Sequence, residues 1–166
     1  MATRKTLVLL AALGIGILAA PDASAAAPFH AIQRADDAAF CVSFTGDQVA
    51  QNLCTGSNYQ IFFHDATPND VNGVEILNYS TNKCVAVAAG SKANGAKVIL
   101  WPCDNGPEQT WFLEPVSSPL IGDVIKNKNS GLCLAVPGDS TVNWTQLIQW
   151  TCNGHVEQVW DFSDDY

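Results

Sequence analysis

Two tryptophans stand out for their placement, each two positions ahead of a cysteine: Trp101-Pro-Cys103 and Trp150-Thr-Cys152. An indole ring offers a broad apolar face and one polar edge, which suits stacking on a ligand better than making or breaking bonds. Polar side chains crowd around both in sequence. Asp104 and Asn105 follow Cys103, Asn153 and His155 follow Cys152, and Asp139, Asn143 and Trp144 lead up to Trp150. That is the raw material of a binding site. Reaction chemistry has less to work with. The pairs Asp36-Asp37 and Asp164-Asp165 are adjacent, so on a strand their carboxylates face opposite ways, whereas glycoside cleavage needs two carboxylates facing one cleft. Neither G-x-S-x-G nor H-E-x-x-H occurs, and no enzyme activity is expected. His30, His64 and His155 are scattered and no C-x-x-C pair exists, so neither a metal nor another cofactor is expected.

The elements that position these residues come from an internal repeat. Cys84-Val-Ala-Val recurs 49 residues later as Cys133-Leu-Ala-Val. Trp101-Pro-Cys103 recurs as Trp150-Thr-Cys152, and Glu108-Gln-Thr-Trp111 as Glu157-Gln-Val-Trp160, at the same offset of 49. A fainter copy precedes them: Gln60-Ile-Phe62 and Cys54 keep the spacing, while Cys41 lies only 43 before Cys84, which marks a deletion of about six residues. A fixed period of this length signals a repeat architecture. Within a repeat, Val85 and Val87, then Val98 and Leu100, alternate as a half-buried strand does. Turn formers at 89–95 and Pro137-Gly-Asp-Ser separate the strands. The chain reads as all-β, about a dozen short strands in one domain.

Residues 1–25 are expected to be a secretory signal peptide. Arg4 and Lys5 start it, Leu7 to Ala20 is apolar, and Ala23-Ser24-Ala25 provides small residues for cleavage. The apolar run is short for a permanent span, so no membrane span is expected in the mature form. Cleavage removes Arg4, Lys5 and Asp22, taking the formal net charge from −8 to −9. An acidic chain without a basic stripe is a poor partner for nucleic acid. Six cysteines, an even number, in an exported chain favour disulfides. A secreted, extracellular location is therefore expected. Asn78-Tyr-Ser80 and Asn143-Trp-Thr145 match the N-glycosylation pattern, which matters only in a host that glycosylates.

A repeat of C-[LV]-x-V, W-x-C and Q-x-W resembles the ricin B-type lectin repeat. The resemblance spans roughly residues 30–164 and is weakest in the first copy. It implies a β-trefoil over residues 26–166, with repeats at roughly 28–72, 73–119 and 120–166. It also implies one disulfide per repeat, Cys41–Cys54, Cys84–Cys103 and Cys133–Cys152, a pairing that repeat self-consistency favours as well. The Q-x-W aromatics Trp111, Trp160 and their counterpart Phe62 recur at equivalent points and are expected in the core. Gln60, Gln109 and Gln158 are expected to bond nearby backbone.

In this family each repeat can carry a shallow sugar pocket, and the resemblance implies glycans as partners. Strand alternation puts Ala86, Ile99 and Trp101 on one face, and Ala135, Ile148 and Trp150 on its counterpart. The stacking aromatic is thus present twice. The polar partners are replaced. The family's Asp position holds Ala86 and Ala135, its common Gln position Ile99 and Ile148, and its Asn position Glu108 and Glu157. In the first copy Ser43 and Asn52 stand for the Asp and the Trp. Losing a charged hydrogen bond of about 1.5–3 kcal/mol weakens a galactose pose roughly 10- to 100-fold. Altered glycan specificity is expected, with the third repeat (Trp150, Trp144, Asn153, His155, Asp139, Asn143) the richest candidate and the second (Trp101, Asp104, Asn105) next. The alternative is a trefoil that has lost sugar recognition and binds or inhibits a protein partner through its loops.

Overall fold

A computed structural model describes residues 30–68, 70–116 and 119–163. The expected leader at 1–25 and the Asp164-Asp165 pair lie outside them. The described residues form thirteen strands and no α-helix, only single 3₁₀ turns. The first repeat supplies β1 (His30–Arg34), β2 (Phe40–Thr45), β3 (Gln48–Leu53) and β4 (Ile61–Thr67). The second supplies β5 (Asp70–Asn78), β6 (Cys84–Val87), β7 (Val98–Trp101) and β8 (Thr110–Val116). The third supplies β9 (Gly122–Asn127), β10 (Cys133–Ala135), β11 (Thr145–Gln146), β12 (Ile148–Trp150) and β13 (Val159–Ser163).

The outer strands of each repeat close a barrel. β1 pairs with β4, β4 with β5, β5 with β8, β8 with β9, β9 with β13, and β13 back with β1, every pair antiparallel. Closure leaves this six-stranded ring without a free edge. The inner strands form the hairpins β2–β3, β6–β7 and β10–β12. Together these are the β-trefoil that the repeat implied. Among the described residues no helix is long and apolar enough to cross a membrane.

One apolar cluster joins the repeats. Phe62, Trp111 and Trp160 are fully buried in it, as are Val85, Val87, Val98 and Leu100. The indole N–H of Trp111 donates to Val85 O at 2.8 Å, and that of Trp160 to Leu134 O at 3.2 Å, so neither ring buries an unpaired donor. The three disulfides connect Cys41–Cys54, Cys84–Cys103 and Cys133–Cys152. Each ties the first strand of a hairpin to the end of the second. Closing 13 to 19 residues, each contributes about 3 kcal/mol in the chain-entropy account.

The deletion in the first repeat has a simple consequence. β2 and β3 pair without interruption from Phe40↔Leu53 to Thr45↔Gln48, a tight hairpin. The other two repeats insert a 3₁₀ turn there, Ala88–Gly90 and Pro137–Asp139. Those turns run through the left-handed region at Ala89 and Gly90 (φ +53°, +59°) and at Gly138 and Asp139 (φ +61°, +51°). They build one wall of a hollow in each of those two repeats.

Candidate functional site

The hairpin registers set the site. Ala86 faces Ile99 and Cys84 faces Trp101 across β6–β7; Ala135 faces Ile148 and Cys133 faces Trp150 across β10–β12. With Val85, Val87, Val98 and Leu100 turned into the core, period-two alternation sends Ile99 and Trp101 outward. Trp101 is 51% exposed and Trp150 43%, so neither ring is consumed in packing on its disulfide.

Each ring borders a hollow. The first, about 320 Å³, is lined by Ala86, Val87, Ala89, Gly90, Ile99, Trp101 and Glu108. The second, about 350 Å³, is lined by Ala135, Val136, Pro137, Gly138, Ile148, Trp150, Glu157 and Gln158. Matching positions differ by 49, so these are two copies of one site. Both volumes lie at the small end of the range for ligand pockets. The walls are mainly apolar, and the one charged side chain in each lining is a glutamate.

The frame holding these glutamates is the same in both copies. Val87 N–H donates to Glu108 O, and Val136 N–H to Glu157 O, each at 3.0 Å. The next residue locks the loop after the second cysteine. Gln109 donates to Pro102 O at 2.8 Å and accepts from Asp104 N–H at 2.9 Å; Gln158 does the same with Thr151 O and Asn153 N–H, both at 2.9 Å. Gln60 repeats the pattern with Leu53 O and Thr55 N–H. The expected glutamine–backbone bonds are therefore present in all three repeats.

The loop residues divide into those near a hollow and those away from it. In the third repeat Asp139, His155 and Glu157 line a wider, open depression of about 560 Å³ with Gly138 and Gly154. It shares Gly138 and Glu157 with the Trp150 hollow. Asn153 Nδ2 donates to Glu157 Oε1 at 3.3 Å, and His155 Nδ1 stands 3.7 Å from the same oxygen. In the second repeat Asp104 Oδ1 accepts from Gly106 N–H at 2.9 Å, and Asn105 adopts φ +61°. Trp144 and Asn143 are exposed and are absent from both third-repeat linings. Trp144 N–H donates to Gln51 O at 2.8 Å and Gln48 Nε2 donates to Trp144 O at 3.3 Å, because β11 pairs with β3 of the first repeat. Trp144 is thus not part of the Trp150 lining.

One contributor was not anticipated from sequence. Arg34 is 2% exposed and donates to both Asp36 oxygens (3.0 and 2.7 Å), to Asp139 Oδ1 (2.5 Å) and to Ser140 O (3.0 Å). Burial pushes its pKa down, but the two carboxylates outweigh burial and hold it above the ordinary value. Arg34 thereby pins Asp139 at the rim of the third-repeat site. By register across the barrel it occupies the place of Asn78 and Asn127: Arg34 faces Trp160 as Asn78 faces Phe62 and Asn127 faces Trp111. Asn78 is fully buried and hydrogen-bonded to Ile61 O and Ser80, which removes it as a glycosylation acceptor. Glu75, Cys84 and Cys103 also bring ligand-type atoms within 4.8 Å of one another, but both sulfurs are committed to a disulfide.

A sequence model of the family described as ricin-type beta-trefoil lectin domain-like matches residues 18–101, 58–121 and 122–166. Among the curated proteins none matches this chain. Solved structures with the same fold include the designed three-fold symmetric protein ThreeFoil (21% identity, TM-score 0.72, 80% of this chain and 96% of that one). The Rhizoctonia solani agglutinin is similar as well (16% identity, TM-score 0.72, 86% and 99%). So is the Polyporus squamosus lectin bound to the epitope Neu5Aca2-6Galb1-4GlcNAc (14% identity, TM-score 0.69, 84% and 50%); this chain spans half of that lectin's length.

Proposed function

This chain belongs to the ricin-type β-trefoil lectin-like family, and on that premise we propose that it is a secreted glycan-binding module with two sites, at Trp101 and Trp150, of altered specificity. The observation that carries the reading is the duplicated hollow. Two exposed indoles, each beside the same hydrogen-bonded frame, border an apolar recess able to take one sugar ring. The apolar face of a pyranose stacks on an indole, and the ring hydroxyls reach for acceptors at the edge. Glu108 and Glu157 supply those acceptors where Ala86 and Ala135 carry none.

The first repeat contributes no comparable site, because Asn52 replaces the tryptophan and the tight β2–β3 hairpin omits the 3₁₀ wall. The anionic terminal sugar of the epitope bound by the Polyporus squamosus lectin is a poor candidate here, since a half-buried glutamate repels it. Two modest sites on one domain gain from avidity on a repetitive glycan.

The test is tryptophan fluorescence of the oxidised chain, titrated with a panel of mono-, oligo- and polysaccharides, beside Trp101→Ala and Trp150→Ala. Saturable shifts, each lost in one variant, are the expected result. No response to any glycan, with both variants folded as the parent is, overturns the proposal and turns attention to the loops as a protein-binding surface.

A further inference from the structure

The two hollows are alike in shape and each is lined by one glutamate, but the groups around those two glutamates differ, and the difference points to a ligand. In the second repeat a Cβ placed on Gly106 would meet Glu108 Oε1 at 2.6 Å and Asp104 Oδ1 at 2.8 Å. Two carboxylate oxygens therefore flank the same point, no farther apart than the sum of those distances. Glu108 lines the Trp101 hollow, and no lysine or arginine shares that lining. Nearby Glu75 is buried, with Oε1 lacking a hydrogen-bond partner. Burial pushes its carboxyl up, the Asn105 backbone N–H counters this, and the charge of Asp104 adds to the rise. Glu108 thus brings negative charge to the hollow of Trp101, Asp104 adds to it within reach of Glu108, and the lining holds no cation to balance them.

The third repeat dismantles the same arrangement. Position 153 is Asn where 104 is Asp, and 155 is His where 106 is Gly. Asn153 donates to Glu157, so that carboxylate already has a partner. Asp139, the other acid on that rim, is ion-paired with Arg34, which it shares with Asp36.

We propose that the Trp101 hollow takes a protonated amino sugar, a glucosamine-type unit whose ammonium sits between Glu108 and Asp104 while its ring lies on Trp101, and that the Trp150 hollow takes a neutral sugar. The inference rests on the glycan-binding reading of these hollows. Both halves of the recognition favour a cation. An ammonium gains charge-assisted hydrogen bonds from carboxylates, and an indole face attracts it further. A neutral N-acetyl group gains neither.

The experiment compares the glucosamine hexamer with the N-acetylglucosamine hexamer by fluorescence titration, at about pH 5.5, where ordinary carboxylates are ionised, and at moderate salt. Parent, Trp101→Ala, Trp150→Ala and Glu108→Gln are titrated, with thermal melts to confirm folding. The expected result is at least tenfold tighter binding of the glucosamine hexamer, retained in Trp150→Ala, lost in Trp101→Ala, and reduced in Glu108→Gln to the level of the acetylated hexamer. Equal binding of both hexamers, unchanged in Glu108→Gln, overturns the amino-sugar assignment and leaves the glycan reading standing. Glucosamine binding that survives Trp101→Ala shows attraction of a polycation to an acidic surface and overturns it too. No tryptophan-dependent response to any sugar overturns both readings together.

Discussion

Replacing Arg34 by methionine tests the link between the barrel and the third-repeat site. The side-chain volume is broadly kept, but four hydrogen bonds to Asp36, Asp139 and Ser140 are lost. Breaking a buried ion pair by removing one partner costs about 3–5 kcal/mol. Here the orphaned acids are not buried alike. Asp139 is half exposed and rehydrates, whereas Asp36 is more enclosed. The loss should therefore be about 2–3 kcal/mol, or roughly 7–10 °C in melting temperature for a chain of this size. Asp139→Asn alone keeps Arg34 paired with Asp36 and should cost at most about 1 kcal/mol, as exposed pairs do. Because the two residues share one contact, the double variant should lose less than the sum of the singles. The assay is thermal unfolding followed by circular dichroism, with the disulfides kept oxidised, alongside glycan titration. Trp150-dependent binding should weaken several-fold as Asp139 loosens, while Trp101-dependent binding stays as it was. A loss below about 0.5 kcal/mol, or strict additivity with Asp139→Asn, would refute the claim that Arg34 holds the site.

Other expectations follow from the same geometry. Trp111→Ala empties the core and should cost about 3–5 kcal/mol by denaturant unfolding, whereas Trp101→Ala removes an exposed ring and should stay within about 0.5 kcal/mol of the parent. Gln109→Leu strands Pro102 O and Asp104 N–H, so it should cost about 2 kcal/mol and weaken Trp101-dependent binding by loosening the loop. Glu75→Gln should stabilise by about 1 kcal/mol at neutral pH. Burial raises the folded carboxyl above its ordinary 4.5, so the folded form holds its proton longer and stability falls as pH rises through that window. The gain from Glu75→Gln should thus vanish below about pH 4.5 and persist above the raised value in melts run across pH. His64→Phe should act on the opposite side. Burial and neighbouring His30 lower the His64 pKa below 6.5 despite Asp65 and Asp123, so the parent loses stability as pH falls under 6.5. The variant should escape that loss while matching the parent above pH 7.

The parts legible from sequence were those governed by local rules. Alternation of Val85 with Val87 and of Val98 with Leu100 needs only neighbours two apart, and the period of 49 transferred each assignment to the next repeat. The cysteine pairing, the buried Q-x-W aromatics and their glutamine bonds all followed. What stayed hidden depends on contacts between repeats. Arg34 reaches Asp139 across 105 positions and stands where the other repeats carry Asn78 and Asn127, so no internal pattern advertises it. Trp144 stands only six residues from Trp150 in sequence, which by itself would group the two. The strand carrying Thr145–Gln146 pairs with Gln51 and Ala50 of the first repeat, and Trp144 is not among the residues lining the hollow. Proximity along a chain predicts proximity in space only while the intervening residues stay in one hairpin.

The three-fold pseudo-symmetry also separates framework from recognition without reference to any other protein. At Phe62, Trp111 and Trp160 the repeats agree, and all three rings are buried. At Gln60, Gln109 and Gln158 they agree again, and all three bond the same backbone positions. On the loops around the hollows they differ: Asp104 against Asn153, Gly106 against His155, Gly90 against Asp139. At these positions the same kind of side chain recurs with the backbone geometry, because a buried volume or an orphaned amide is equally costly in each copy. A rim carries no such constraint, since water satisfies whatever polar group stands there. Differences at the rims are therefore inexpensive for the fold, and they leave the glutamates of two similar hollows in different surroundings.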